Sequence, residues 1–294
     1  MSVRFAPFAY RWGLAEGMTS WRLRGEDLVV PFRGVRSLTD QHTAYDRALA
    51  YSPLLRPGHV FSHATAANIW EMWLPERLES DPLVDVLAIG AARPARMTGV
   101  RGHHASATEV TVRMHRGMPV TSPIDTFRML SPILELGELV EAGDSLVRRK
   151  LPLATIAEVR ASARQHRGRR GASLLALAVA EVREGCDSPR ETRLRRILVE
   201  YGLPEPRINP VISQPGAAKL RYGDLVYPEW LVIVEYDGGY HWSSAAQRAA
   251  DIDRRDQLIR EGWTVIQVVS AHLDDPAAIA ARVSSALQAK GWRP

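Results

Sequence analysis

Asp224, Glu235, Asp237 and His241 have the residue types and spacing of a hydrolytic centre, inside the stretch RYGDLVYPEWLVIVEYDGGYHW from Arg221 to Trp242. The spacing places Asp224 at the end of one β-like run. Leu231 to Asp237 reads as a second run, broken by Gly238-Gly239, with His241 just beyond. Alternate side chains of an extended strand share a face, so Leu231, Ile233, Glu235 and Asp237 point one way and Val232, Val234 and Tyr236 the other. A strand as apolar as Leu-Val-Ile-Val is normally buried, and carboxylates at its end are costly unless a cation or hydrogen-bond donors meet them. A hard divalent ion such as Mg²⁺, or Mn²⁺ in its place, takes one or two carboxylates, keeps several waters and leaves room for phosphate. Such an ion would make this a phosphodiester-hydrolysing site, with Asp224, Glu235 and Asp237 as candidate metal ligands.

The elements that must position these residues occupy residues 186–294. Asp187-Ser188-Pro189-Arg190-Glu191 opens a helix, with Ser188 as N-cap, Pro189 at N1 and Glu191 completing a capping box. Leu194, Ile197, Leu198 and Tyr201 form its buried stripe, flanked by Arg193, Arg195 and Arg196, and Gly202-Leu-Pro ends it. The paired strands follow, then a helix from Ala245 to about Glu261 anchored by Ala249, Ile252, Leu258 and Ile259. A buried strand at 263–269 and a closing helix from Pro276 to Lys290 complete the order helix, strand, strand, strand, helix, strand, helix. Arg254 and Arg255 could hold a scissile phosphate, or pair with Asp251, Asp253 or Asp256 as an exposed set worth little each.

This arrangement resembles the PD-(D/E)xK nucleases of the restriction-endonuclease fold. Asp224-Leu-Val-Tyr-Pro228 with an apolar strand and an aromatic-His-Trp cluster is similar to the very-short-patch-repair (Vsr-like) endonucleases. Glu235-Tyr-Asp-Gly-Gly-Tyr-His241 is similar to the E-x-D-G-x-x-H signature of domain of unknown function 559. The resemblance covers about residues 186–294 and implies an α/β sandwich around a central mixed sheet. It also implies that Asp224 bridges metal and phosphate, that Glu235 completes the metal site, and that Asp237 is a further ligand or orients His241. The motif's usual lysine is replaced by Asp237, and the nearest lysine in sequence is Lys219. His241 therefore becomes the candidate that accepts a proton or positions water, a role suited to an imidazole at neutral pH. First-helix glutamates of this fold often reach the metal or its water, so Glu191 carries a catalytic reading beside its capping one.

At 294 residues the chain is long enough for two or three domains. No apolar run reaches the length of a membrane span, and the first residues lack the apolar core of a signal peptide. Cys186 is the sole cysteine, which excludes a disulfide framework and a thiolate zinc cluster and fits a reducing, cytoplasmic setting. Residues 186–294 carry 14 Lys/Arg against 14 Asp/Glu, so the 24 bases and 19 acids of residues 1–185 account for the whole net charge of +5. A positive excess outside the catalytic part is expected if the front of the chain docks on DNA.

Residues 1–60 read as a short helix, capped at Thr19 or Ser20 and ended by Gly25, followed by two strand-like pieces able to form a hairpin. With Arg22, Arg24 and Arg33 this resembles the winged-helix-like N-terminal region of AbiEi-type antitoxins, DNA-binding regulators. Residues 61–185 read as mixed α/β, then helical. A helix over Gln41–Ala50 comes first, and Ser62 caps another whose Trp70, Trp73 and Leu74 face a core. Short strands fall at Val84–Ile89, Gly99–His103, Val110–Met114 and Pro119–Ser122, with His103 and His104 as surface or packing residues. Ser122-Pro123 starts a helical stretch, broken near Pro132, Pro152 and Gly168, that also resembles the middle of AbiEi-like proteins. Arg167, Arg169 and Arg170 lie in a loop there, equally suited to the DNA backbone or to solvent. The sequence thus predicts a multi-domain α+β chain acting as a Mg²⁺-dependent DNA endonuclease or nickase, on mismatched, damaged or otherwise irregular DNA of the kind met in repair. The rival expectation is an AbiEi-like DNA-binding regulator with an inactive nuclease fold.

Overall fold

A computed structural model describes residues 6–212, 222–237 and 245–294, with the backbone alone for 245–252. His241, the Gly238-Gly239 break and Lys219 lie outside the described residues, as do the side chains of Ala249 and Ile252. The chain is multi-domain α+β with mixed sheets, and it divides into two compact units. The first comprises residues 1–146 and 153–182, the second 147–152 and 183–294.

The first unit opens with β1 (Phe8–Ala9), α1 (Tyr10–Ala15), β2 (Val35–Arg36) and α2 (Ala44–Tyr51). Next come β3 (His59–Phe61), α3 (His63–Ile69), α4 (Glu76–Glu79), β4 (Val84–Ile89), β5 (Val100–Ala105), β6 (Val112–His115) and β7 (Met118–Thr121). Four helices complete it, α5 (Pro123–Leu130), α6 (Leu136–Leu146), α7 (Ile156–Gln165) and α8 (Ala172–Glu181). Their breaks fall at the prolines and glycine that mark them in the sequence. Ser122 Oγ accepts from the Asp125 N–H at 3.1 Å as the cap of α5, and Thr43 and Asp46 form a capping box on α2. The sheet runs β5-β4-β3-β7-β6, with β4–β5 and β3–β7 parallel and the other pairs antiparallel.

The front of this unit departs from the winged-helix expectation. The helix expected from Thr19 to Gly25 is a single 3₁₀ turn at Arg22–Arg24, because Gly25 ends it before an apolar stripe can repeat. The expected hairpin is reduced to one bridge, Val29 to Ser37, since β2 pairs instead with β1. Residues 1–60 also share one core with the five-stranded sheet: Phe32, Val35, Ala48 and Tyr51 pack with Phe61, Val84, Val86 and Val120.

The second unit contains α9 (Pro189–Glu200), β8 (Arg207–Ile208), β9 (Leu225–Tyr227), β10 (Val232–Asp237), α10 (Ala245–Arg260), β11 (Thr264–Val269) and α11 (Pro276–Ala289). The sheet order is β11-β10-β9-β8, with β10–β11 parallel through the α10 crossover and the other pairs antiparallel. One face carries Leu225, Tyr227, Val232 and Val234 against Leu194 and Leu198 of α9 and Ile279 and Val283 of α11. The opposite face buries Val226 and Ile233 against Leu258 of α10. Two expectations for α9 change: Tyr201 lies just past its last turn and is 49% exposed, whereas Arg195 is 2% exposed and lies 3.5 Å from Glu205.

Candidate active site

Strand register brings the acids together. Asp224 stands immediately before β9 rather than closing a strand, and its carbonyl accepts from the Asn209 N–H at 2.8 Å, one step beyond the Ile208–Leu225 pair. Val234 pairs with Leu225, so the same antiparallel register carried one residue further faces Asp224 with Glu235. Glu235 is itself paired with Gln267 across the parallel β10–β11 ladder. Asn209, Asp224, Glu235 and Gln267 thus form a polar row across the sheet beside the apolar rows. Alternation puts Asp224 with Val226, and Glu235 and Asp237 with Ile233, on the α10 face.

Each acid is held differently. Asp224 Oδ2 accepts from the Tyr236 N–H at 2.8 Å. Burial pushes its carboxyl up to about 7, and the charges of Glu191 and Glu235 push the same way, against the Tyr236 hydrogen bond and Arg254. Glu235 Oε1 accepts from Arg254 at 2.8 Å, and the same guanidinium reaches the Tyr222 carbonyl at 2.5 Å. Arg254 lies one turn before Leu258 on α10, which explains why it projects onto this face. Its ion-pair partner is therefore Glu235, and Arg255 donates instead to Gln267 Oε1 at 3.0 Å.

Glu191 is 7% exposed at the start of α9. It accepts from the Asp187 N–H at 2.9 Å, from Ser188 Oγ at 2.9 Å and from Asn209 Nδ2 at 2.8 Å, while its own N–H donates to Ser188 Oγ at 3.2 Å. Ser188 caps the helix, but Glu191 departs from the expected capping box by taking the N–H of Asp187, one residue before the N-cap, and it also acts on Asp224 through its charge. Among the described residues no group of three or more His, Cys, Asp or Glu side chains stands close enough to hold a metal ion. Asp224 and Glu235 alone match what Mg²⁺ asks of a protein, one or two carboxylates with water and phosphate completing the shell. A desolvated Asp224 carboxyl whose proton is held by the charges of Glu191 and Glu235 fits a cation.

Asn209 is a site residue that the sequence motifs do not mark. It is 8% exposed, has φ +44° and donates through Nδ2 to both Glu191 and the Gly185 carbonyl, at 2.8 and 3.0 Å. The Asn-Pro dipeptide at 209–210 is a turn signal, and asparagine tolerates the left-handed region, so a clue to its backbone was present. Asn209→Ala removes two buried hydrogen bonds and adds strain. A loss of about 2 kcal/mol, read from urea denaturation, is the expected outcome.

No family model matches the chain. It is similar to two uncharacterized proteins of Mycobacterium tuberculosis, from strains CDC 1551 and H37Rv. Each is 29% identical over 133 residues, covering 43% of this chain and 47% of the relative. The chain thus matches about half the length of these curated relatives. No solved structure matches.

Among the described residues, some of the arginines singled out in the sequence pair with acids and others do not. Arg22 is held by both oxygens of Asp27 at 2.9 and 2.8 Å, and Arg169 by Glu109 at 2.7 Å. Arg24 and Arg33 line one open cavity of the first unit. Arg167 and Arg170 are exposed.

His103 is not the incidental packing residue that the sequence suggests. Its Nε2 lies 2.8 Å from Asp85 Oδ1, its ring stacks on His63 at 3.8 Å, and Arg101 reaches the same oxygen at 3.0 Å. Asp85 is 1% exposed. Burial and the charge of His103 lower His63 to about 4, so it is neutral at pH 7. His104 is exposed, its Nε2 on the Gly90 carbonyl at 2.8 Å.

Proposed function

We propose that the second unit hydrolyses phosphodiester bonds of DNA with a divalent cation, cutting or nicking at irregular sites, and that the first unit docks on the nucleic acid. The observation that carries this reading is the convergence of Glu191, Asp224 and Glu235 on one sheet end, where Asp224 holds its proton up to about 7. Structural carboxylates are usually neutralised by pairing, whereas catalytic ones are left at odds with their surroundings. Asp224 and Glu235 would hold Mg²⁺ or Mn²⁺. When bound, such an ion lowers the pKa of its water and offsets charge on the phosphate. The chain's own residues then have defined tasks. Tyr236 N–H orients Asp224, Asn209 and Ser188 fix Glu191 at the edge of the site, and Arg254 limits repulsion between Glu235 and Asp224. Asp237 and His241 complete the proposal from the sequence resemblance.

The Arg254–Glu235 pair favours a second reading, a DNA-binding regulator whose nuclease fold is inactive, because an arginine already answers one of the two carboxylates. Supercoiled, nicked, mismatched and single-stranded DNA incubated with and without Mg²⁺ or Mn²⁺ separates the two. The enzyme is expected to cut at least one substrate, and to stop in chelator and in Asp224→Asn. Binding without any cleavage identifies the regulator.

A further inference from the structure

Two open cavities of the first unit differ in electrostatic character. In the smaller, about 900 Å³, each arginine meets an acid: Arg128 pairs with Asp125, and Arg169 with Glu109. The larger, about 1240 Å³, is lined by Arg11, Arg24, Arg33 and Arg36 from the front of the chain. Arg56, Arg93 and Arg96 line it from the other side, and no aspartate or glutamate does. Among the described residues none of these arginines is paired with a carboxylate. Arg36 is tied down, donating to the Leu23 and Val35 carbonyls at 2.5 and 2.9 Å and lying 4.8 Å over the Tyr10 ring.

The fold holds this uncompensated charge in place. Ala95 and Met97 pack into the core, anchoring the segment between β4 and β5 that carries Arg93 and Arg96. A Cβ on Gly102 of β5 would lie 2.2 Å from the Ala95 carbonyl oxygen, so that segment is pressed against the sheet where only glycine fits. His59, 6% exposed and also in the lining, has Nε2 on the Arg93 carbonyl at 2.9 Å and Nδ1 buried without a partner among the described residues. Guanidiniums gathered from five separate segments and held apart from any acid repel one another, a cost that a polyanion removes.

We propose that this cavity binds the phosphate backbone of single-stranded nucleic acid. A single strand is favoured over a duplex by shape. The lining is built from loops, strand ends, 3₁₀ turns, the six-residue α1 and the last residue of α2, with no long helix to enter a groove. Crowded arginines beside an aromatic ring are the means by which proteins track an unpaired backbone. The inference rests on the proposed action on irregular DNA and deepens it by naming the feature recognised, an unpaired stretch.

The test uses the full chain in chelator, so that binding is read apart from cleavage. Fluorescence anisotropy is measured with labelled single-stranded DNA, single-stranded RNA, blunt duplex DNA and competing inorganic tripolyphosphate, between about 50 and 200 mM salt. Single strands are expected to bind at least about tenfold tighter than duplex. In Arg93→Glu/Arg96→Glu the affinity should fall about tenfold or more, and the slope of log K against log salt should shrink by about 1.4, or about 0.7 for each phosphate no longer neutralised. Arg160→Glu, on an exposed turn of α7, should bind like wild type. Duplex preference, tighter binding of tripolyphosphate than of the oligonucleotide, or unchanged binding by the Arg93/Arg96 variant overturns the proposal. If single strands bind as expected and nothing is cleaved with metal, the hydrolase reading alone fails.

Discussion

Replacing Asp224 by asparagine is expected to give a protein that is more stable above pH 7 and unable to cut DNA. The wild-type carboxyl rises from an ordinary 3.8 to about 7 on folding. Between those values the folded state holds more protons than the unfolded one, so stability falls as pH increases. Asparagine still accepts from the Tyr236 N–H but carries no charge toward Glu191 and Glu235. At pH 8 the gain should be ~2 kcal/mol, with the shift discounted for partial exposure. At pH 4 the two proteins should melt together. Cleavage should drop about a thousandfold or more, since each ~1.36 kcal/mol of lost transition-state stabilisation is a factor of ten and a metal ligand contributes several. Added Mg²⁺ should raise the melting temperature of the wild type at pH 8 and leave the variant unmoved. A variant that melts lower than wild type at pH 8 would mean that Asp224 is a structural acid.

Asp85→Ala is expected to cost the first unit about 3 kcal/mol or more in urea denaturation. The carboxylate is buried between His103 and Arg101, and its backbone N–H donates to Thr65 Oγ1 at 2.8 Å. Removing one member of a buried ionic network leaves the others unanswered, the costly way to break it. Burial raises the Asp85 carboxyl, but the His103 hydrogen bond and the charges of His63, Arg101 and His103 outweigh it, so its pKa lies below the ordinary value. Its contribution is therefore present at neutral pH and lost in acid. His63, lowered from 6.5 to about 4, adds to the same trend: stability rises with pH between those values, because only the unfolded imidazole takes up a proton there. The two units should thus respond in opposite senses between about pH 4 and 6.5, the first strengthening and the second weakening. Two melting transitions that approach or separate as pH changes would report this directly.

The second unit's element order was legible in the sequence, because α9, β10, α10 and α11 have the local signals that hydrophobic period and caps supply. Ser188 and Pro189 announce a helix start that the structure contains, with Glu191 turned to the Asp187 N–H instead of closing a capping box. Positions set by pairing over long separations were less legible. His103 meets Asp85 only because β4 and β5 run parallel with Leu87 opposite His103, a register that no motif encodes. The arginine cavity draws on residues from 11 to 96, and local motifs mark Arg24 and Arg33 without their distant companions. At the front, propensity favours a helix and hairpin, whereas β1 competes for β2 and Phe32 and Val35 are drawn into a larger core. The pairing of Arg254 with Glu235 was not legible, because it depends on how α10 lies over β10.

The path of the chain between the units bears on any dissection of the protein. Residues 147–152 belong to the second unit, yet α7 and α8, later in the chain, return to the first. Within that short excursion the Arg149 N–H donates to the Cys186 carbonyl at 3.4 Å, its guanidinium holds Asp187, and it stacks 4.5 Å over the Tyr222 ring. A proteolytic or recombinant piece beginning at residue 183 would leave that clasp behind and loosen the entrance to α9. A ribosome must likewise release residues through 182 before the first unit has all its helices, so its assembly cannot finish before the loop has been handed over.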